Sequence, residues 1–281
     1  MSAPFYTFAN GDKIPAIAFG AGRIEPKNEY WPHFEAKIKA AIRNGYRHID
    51  TAEIYQTDLE VGNALKAFPE IPRSEFFITS KVSNHGGIKN RDIEGSLKKT
   101  LKELGTDYVD LYLIHAPFLD PAGLTLEEAW AELEALKAKG LTRHIGVSNF
   151  RPQTIEKILR IAKEKPEVNQ IEIHPYNVEQ DTIDFDKKHG ILTAGYSPLR
   201  ALGHNTSGTL APLLESIATK HSVTPAQVLL KWQIQQGFQV VTSSNNEDRQ
   251  RTQLELGFTL DESDIKAITE EGAKNPIRFF G

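Results

Sequence analysis

The chain has 281 residues, 40% of them hydrophobic and 25% charged, which is typical of a folded globular protein. Its formal net charge of −4 argues against a nucleic-acid partner and against attraction to an anionic membrane surface. The absence of cysteine excludes disulfides and cysteine-based zinc sites, and it fits a reducing compartment. The N-terminus lacks a secretory pattern, and no apolar run reaches the ~20 residues of a membrane helix, so we expect a cytoplasmic protein.

Residues 5–15 predict a β-hairpin, because short apolar strands flank the tight-turn pair Asn10-Gly11. Beyond it, apolar runs alternate with amphipathic runs, which is the pattern of successive βα units. The runs are rich in Val, Ile and Leu without strict alternation, as expected for parallel strands buried on both faces. Eight strands are predicted to start at or near Ala16, Arg47, Phe76, Val109, His144, Val168, Ile191 and Phe238.

The helices between these strands carry recognisable start and stop signals. Thr125 and Glu128 predict a capping box, Gly140 ends the same helix, and Thr224-Pro225 opens another. Eight βα units favour a closed barrel over an open doubly wound sheet, and no linker divides the chain. We therefore expect an α/β fold in which residues 1–281 form a single (β/α)8 TIM-barrel domain, with the N-terminal hairpin closing its bottom. The predicted helices span 35–44, 58–68, 91–104, 125–139, 152–162, 179–188, 209–220, 224–234, 247–254 and 261–270.

Three apolar strands end in ionisable residues, namely Asp50, Lys81 and His115. The C-terminal ends of barrel strands form one rim, where functional side chains lie, and Tyr55 follows just beyond Asp50. A phenol with a pKa near ~10 is a weak acid at neutral pH. A Lys81 ammonium held by Asp50 would stabilise the phenolate of Tyr55 and make the phenol a better acid. With a neutral His115 to position a carbonyl oxygen, the set predicts a carbonyl reductase.

Other chemistries find less support in these residues. No nucleophile lies beside a base, no carboxylates are paired as in a glycosidase, and the histidines lack metal-ligand spacing, so we expect no metal. A Schiff-base lyase that uses Lys81 as its amine stays as an alternative. Asp50 argues against that lyase, because it keeps the amine protonated.

No Walker A motif is present, and Glu25 stands where Gly20-Ala21-Gly22 would need the third glycine of a dinucleotide fingerprint. A dinucleotide would therefore be held in the barrel mouth by other groups. The candidates are Ser148, Asn149 and Gln170 for an amide group, Tyr196 as a stacking face, and Ser243–Arg249 for phosphate at a helix N-terminus. Taken singly, Tyr196 is more simply explained as core and Arg249 as an exposed helix charge.

Three long motifs carry a family resemblance, namely Gly45–Tyr55, Leu104–His115 and Gly146–Phe150. In these motifs, and from the hairpin to beyond Arg249, the chain resembles the aldo-keto reductases, closest to fungal NADPH-dependent reductases of α-keto amides and conjugated polyketones. The resemblance implies hydride transfer from NADPH to a ketone or aldehyde, with Tyr55 as the proton donor. The implied catalytic residues are Asp50, Tyr55, Lys81 and His115.

The resemblance also assigns residues along a bound NADPH. Ser148, Asn149 and Gln170 would bind the nicotinamide carboxamide, and Tyr196 would stack on its ring. Ser197 and Leu199 would lie along the pyrophosphate. The predicted cofactor set is completed by Gly22 and, at the adenosine 2′-phosphate, by Ser243, Ser244, Arg249 and Gln253.

Two departures from the family pattern bear on cofactor and substrate. Ser243 stands where many relatives have a lysine, which removes one cationic contact to a 2′-phosphate. Ala116 replaces a common tryptophan, and the tail after Glu270 is short, so we expect an open pocket for activated carbonyls such as α-keto esters, α-keto amides or diketones. Its predicted walls are Tyr30, Trp31, Ala116 and Phe118, although core packing or exposure fits the aromatic ones nearly as well.

The expected partner is a small carbonyl compound, with no nucleic acid and no membrane. A monomer or weak dimer is expected. A non-catalytic NADP-binding module stays as a further alternative to the reductase, and the intact set of four catalytic residues argues against it.

Overall fold

The computed structural model describes residues 4–22, 32–117, 121–203 and 208–280. The predicted hairpin is present as strands β1 (Phe5–Thr7) and β2 (Lys13–Pro15), which pair antiparallel. Gly11 has a φ of 92°, a left-handed conformation that glycine adopts without steric cost. This turn is the one that the Asn10-Gly11 pair predicts.

Eight parallel strands follow and close into a barrel, because the last strand pairs with the first. The predicted (β/α)8 fold is thereby confirmed, with each strand within three residues of its predicted start. The barrel strands are β3 (Ile17–Gly20), β4 (His48–Asp50), β5 (Phe77–Val82), β6 (Val109–Ile114), β7 (Thr142–Ser148), β8 (Val168–Glu172), β9 (Leu192–Tyr196) and β10 (Gln239–Thr242).

The helices surround the barrel, and the predicted capping box forms at Thr125. Thr224 and Pro225 open another helix as predicted, and Gln227 completes a second capping box there that was not predicted. The helix predicted over 58–68 ends two residues early, since Pro69 disfavours helical backbone at the residue before it. The helices are α1 (Pro32–Arg43), α2 (Asp58–Lys66), α3 (Ile93–Leu104), α4 (Leu126–Ala138), α5 (Pro152–Leu159), α6 (Gln180–His189), α7 (Leu210–His221), α8 (Pro225–Gln235), α9 (Glu247–Thr252) and α10 (Glu262–Ala273).

The hairpin covers the end of the barrel where the strands begin, as predicted. Phe8 stacks on His144 of β7 with ring centroids 4.0 Å apart, and it packs in one buried cluster with Phe77 at the start of β5. The Tyr6 hydroxyl donates hydrogen bonds to the carbonyls of Ile234 and Phe238, at 3.1 and 2.9 Å. The candidate site lies at the opposite end of the barrel, where the strands finish.

The largest apolar cluster lies between the helices and the barrel wall. Ile38 of α1, Val61 of α2 and Leu97 of α3 meet strand residues such as Tyr112 of β6, and all four are fully buried. None of the helices in the described part of the chain is both long and apolar enough to span a bilayer.

Candidate active site

A fully buried ion pair lies where β4 and β5 end. The Lys81 ammonium is 0% exposed and donates to Asp50 Oδ1 at 2.6 Å and to the Thr51 carbonyl at 3.0 Å. The second carboxylate oxygen of Asp50 accepts a hydrogen bond from Gln170 Nε2 at 2.8 Å. Because both charges are paired and hydrogen-bonded, burial of the two groups is compensated and their orientation is fixed.

Tyr55 is held over this pair by a single 3-10 turn, Glu53–Tyr55, that sequence patterns did not predict. The Glu53 carboxylate fixes the turn by accepting from the Ser83 backbone N–H at 2.7 Å. The Lys81 ammonium lies 5.1 Å from the Tyr55 ring centroid and hydrogen-bonds the phenol. His115 meets the tyrosine ring edge-on, with centroids 5.5 Å apart. The three predicted strand-end residues and Tyr55 are therefore one cluster.

The protonation states of this cluster follow from burial and from the ion pair. Burial raises the pKa of Tyr55, and the Lys81 ammonium lowers it by less, so the pKa stays above its ordinary value. The expectation that Lys81 leaves the phenol more acidic than usual is therefore wrong for the net effect, although the direction of the lysine's influence is as expected. Burial keeps the phenol protonated, and the Lys81 ammonium partly offsets the rise in pKa that burial causes.

Lys81 and His115 are shifted in opposite directions. Burial lowers the pKa of Lys81, but the Asp50 carboxylate and the Tyr55 oxygen outweigh it, so the net pKa is raised and the amine is an ammonium. Burial and then the charge of Lys81 lower the pKa of His115 to about 3. The imidazole is therefore neutral near pH 7 and can donate one N–H to a substrate oxygen.

The residues predicted to bind an amide belong to a hydrogen-bond network centred on the Asn149 side chain, at the end of β7. Its Nδ2 donates to the His115 carbonyl at 3.0 Å and to Ser148 Oγ at 3.1 Å, and its Oδ1 accepts from the Tyr196 hydroxyl at 2.9 Å. Ser148 Oγ donates in turn to the Gln170 carbonyl at 2.8 Å. The network places amide and hydroxyl groups beside His115 while using several of their hydrogen bonds internally.

A cavity of about 1390 Å³ opens above the cluster, and Lys81 lies beneath its floor. Its walls reach from Tyr55 to the loop after β10. The predicted residues that line it are Gly22, Asp50, Tyr55, His115, Ala116, Ser148, Asn149, Gln170, Tyr196, Ser197, Leu199 and Ser243.

Three predicted cofactor residues do not line this cavity. Ser244 Oγ accepts from the Asn246 backbone N–H at 3.2 Å, and Arg249 is exposed on α9. Gln253 is 3% exposed, and its Oε1 accepts from the Tyr46 hydroxyl at 3.0 Å. Gln253 thus packs inward rather than toward a ligand. The predicted pocket residues Tyr30, Trp31 and Phe118 lie outside the described residues.

Lys37, Arg200 and Phe280 are among the cavity residues that sequence reasoning missed. Phe280 meets Tyr196 edge-on with centroids 5.9 Å apart, and its backbone N–H donates to the Glu172 carboxylate at 2.9 Å. The only sequence signal for this contact was the polar end of β8 at Glu172. Nothing local in the sequence connects that carboxylate to a tail more than a hundred residues later.

The family model for the aldo/keto reductase family matches residues 16–272. The NADPH-dependent alpha-keto amide reductase of Saccharomyces cerevisiae is 38% identical, covering 98% of this chain and 93% of its own. The NAD/NADP-dependent indole-3-acetaldehyde reductase of Schizosaccharomyces pombe is 37% identical over 97% and 96% of the two chains. The crystal structure of a Bombyx mori aldo-keto reductase in complex with NADP matches with a TM-score of 0.87 at 30% identity, covering 96% and 93% of the chains.

The fold is a closed (β/α)8 barrel, and the family model and the named reductases make the chain an oxidoreductase. By the match to the family model and by these relatives, the chain belongs to the aldo/keto reductase family.

Proposed function

We propose that this chain reduces ketones and aldehydes to alcohols with NADPH, and that Tyr55 donates the proton. One observation carries the proposal. The Tyr55 phenol contacts a fully buried lysine that is bonded to Asp50, and it lies edge-on to a neutral histidine at the floor of a large cavity. That arrangement holds an ammonium where it stabilises a phenolate.

The residues present fit a nicotinamide dinucleotide. Asn149 and Ser148 offer amide and hydroxyl groups beside His115, and Tyr196 offers an aromatic face in the cavity wall. Arg200 also lines the cavity, and its buried Nε has no hydrogen-bond partner among the residues that the structure describes. An anionic group such as a pyrophosphate would supply that partner. The cavity extends to Ser243, where the remainder of the cofactor would lie.

Each residue of the cluster then has one task. When bound, NADPH supplies a hydride to the carbonyl carbon. His115 positions the carbonyl oxygen, and Tyr55 gives its phenolic proton to that oxygen as negative charge develops. Lys81 stabilises the phenolate that Tyr55 becomes, and Asp50 keeps Lys81 charged and in place.

Activated carbonyls are the proposed substrate class. Ala116 lines the cavity and leaves its mouth without a large side chain at the position that follows His115. The names of the two fungal relatives, an alpha-keto amide reductase and an indole-3-acetaldehyde reductase, support carbonyl compounds of moderate size. A cytoplasmic location and a monomeric or weakly dimeric state stay predictions of the sequence.

The Schiff-base alternative finds no support in the geometry. Lys81 is fully buried, is bonded to Asp50 and has a raised pKa, so its amine is protonated and is a poor nucleophile. Borohydride trapping of a carbonyl compound on Lys81 would reverse this conclusion.

A substrate panel tests the proposed function. Oxidation of NADPH and of NADH would be followed at 340 nm with an α-keto ester, an α-keto amide, a cyclic diketone and a simple aldehyde. We expect turnover with NADPH and the highest kcat/KM for the activated carbonyls. No turnover with any of the four compounds would support the non-catalytic module instead, and strict selectivity for the simple aldehyde would contradict the open pocket.

A further inference from the structure

The loop that follows β10 has no lysine, yet a lysine from another element reaches the same part of the cavity. We propose that Lys37 of α1 is a cation that recognises the adenosine 2′-phosphate of NADPH, and thereby contributes to cofactor specificity. This inference rests on the proposed function, because it assigns a residue to the proposed cofactor. The loop itself reads Ser243-Ser244-Asn245-Asn246 and offers only uncharged side chains.

Lys37 is tied to that loop by one buried amide. Gln250 is 1% exposed, and its Nε2 donates both to the Lys37 carbonyl at 3.2 Å and to the Ser244 carbonyl at 3.0 Å. A single nitrogen can bridge two acceptors only if they are close together, so α1 and the loop are adjacent. Lys37, Ser243 and Asn245 accordingly line the same cavity.

The charge of Lys37 is uncompensated in the described part of the chain. Its ammonium lies 5.1 Å from the Phe34 ring centroid and 5.5 Å from that of Phe19, and no described carboxylate oxygen lies within 4.0 Å of it. Burial lowers the pKa of Lys37. Lys39 on the same helix instead pairs with Glu35 at 2.5 Å. An anion in the cavity would restore to Lys37 the stabilisation that burial removes.

Two arginines lie near the same cavity. Arg249 is exposed on α9, directly after the Ser243 loop, so it can add a second charge at the 2′-phosphate. Arg200 lines the cavity, but its guanidinium stacks on Phe279 at 4.9 Å and on Phe280, which in turn contacts Tyr196. Arg200 therefore belongs with the residues around Tyr196. A phosphate monoester carries close to two negative charges at neutral pH, and Lys37 is the lysine that faces the Ser243 loop.

The test compares Lys37→Met with Lys39→Met in the intact chain. Methionine keeps the apolar stem against Phe19 and Phe34 while it removes the charge. The control removes the same charge from the same helix. Dissociation constants would be measured by calorimetry for NADP+ and NAD+, and for the fragments 2′-AMP and 5′-AMP, which isolate the position of the phosphate.

We expect Lys37→Met to weaken binding of NADP+ and of 2′-AMP by ~10–100-fold, the effect of losing one charge-assisted contact. Affinity for NAD+ and 5′-AMP should change by less than ~2-fold, because neither ligand carries a 2′-phosphate. Lys39→Met should bind all four ligands like the parent, and Lys37→Arg should retain most of the affinity for NADP+. Melting temperatures would verify that each variant is folded.

Three results would overturn the inference: unchanged NADP+ affinity in Lys37→Met, an equal loss for NADP+ and NAD+, or the same loss in Lys39→Met. The proposed function is tested by a different measurement. Absence of carbonyl reduction by the parent would contradict the reductase activity, whereas a selective loss of 2′-AMP binding in Lys37→Met would still support the role of Lys37.

Discussion

Gln170 donates a hydrogen bond from its amide to Asp50 Oδ2 at 2.8 Å, across the barrel mouth and 120 residues away in the chain. The other oxygen of the same carboxylate holds Lys81. Gln170 was predicted to bind the nicotinamide carboxamide, yet its Nε2 is already directed at the ion pair. The amide nitrogen of Gln170 therefore orients Asp50, and this role does not depend on what its amide oxygen contacts.

Replacing Gln170 by methionine should lower kcat more than it weakens cofactor binding. Loss of one hydrogen bond to a buried charge costs about 1.5–3 kcal/mol, and here it would loosen the pair that positions Tyr55. We expect kcat to fall by about 10-fold or more, with NADPH affinity within about 3-fold of the parent. Steady-state kinetics combined with a fluorescence titration of NADPH would measure both. A loss of affinity with kcat unchanged would instead assign Gln170 to the carboxamide.

Tyr55→Phe should nearly abolish turnover and leave the cofactor bound. Removing a general acid costs ~10²–10⁴-fold in rate, while the ring that packs against His115 is preserved. The same titration would report NADPH affinity, and kcat/KM for the best substrate of the panel would report chemistry. Turnover close to that of the parent would exclude Tyr55 as the proton donor.

The barrel and the three strand-end residues of its cluster were predictable for a physical reason. Apolar runs indicate buried strands, and consecutive parallel strands bring their C-terminal ends to one rim. Asp50, Lys81 and His115 end three consecutive strands, β4, β5 and β6, so their proximity follows from the order of the strands alone.

The contacts that sequence reasoning missed are non-local. Periodicity indicates which face a residue lies on, but not which distant group meets it. Gln253 packs against Tyr46, about 200 residues earlier in the chain, and the backbone of Phe280 binds Glu172. Lys37 lies on a predicted helix, yet only the packing of α1 against α9 brings it beside the Ser243 loop.

Breaking the buried ion pair should destabilise the fold more than removing both charges. In Lys81→Met, Asp50 would be left buried without its cation, which costs about 3–5 kcal/mol in the free energy of unfolding. In the double variant Asp50→Asn/Lys81→Met no charge is stranded, so it should unfold at a higher urea concentration than Lys81→Met alone. Urea titrations at pH 7 would measure this. A double variant less stable than Lys81→Met would show that the unpaired charge of Asp50 is not the cause of the lower free energy of unfolding.

Asp186 on α6 should make the protein less stable as the pH rises. It is fully buried, and although hydrogen bonds from Asn169 and Thr193 favour its charged form, burial raises its pKa to about 7. The unfolded value is 3.8, so the folded state holds a proton that the unfolded state has lost between those pH values. The resulting stabilisation is fully present below the unfolded pKa and is lost as pH rises through about 7.

Asp186→Asn should therefore remove part of the pH dependence. Free energies of unfolding would be measured at pH 5 and pH 8 for the parent, for Asp186→Asn, and for Asp184→Asn, which changes an exposed carboxylate on the same helix. We expect the parent and Asp184→Asn to lose more stability between pH 5 and pH 8 than Asp186→Asn does, by an amount on the order of 1–2 kcal/mol after allowance for hydrogen bonds that favour the charged form. If all three proteins lost the same amount, Asp186 would be ionised already at pH 5, and its burial would be compensated entirely by Asn169 and Thr193.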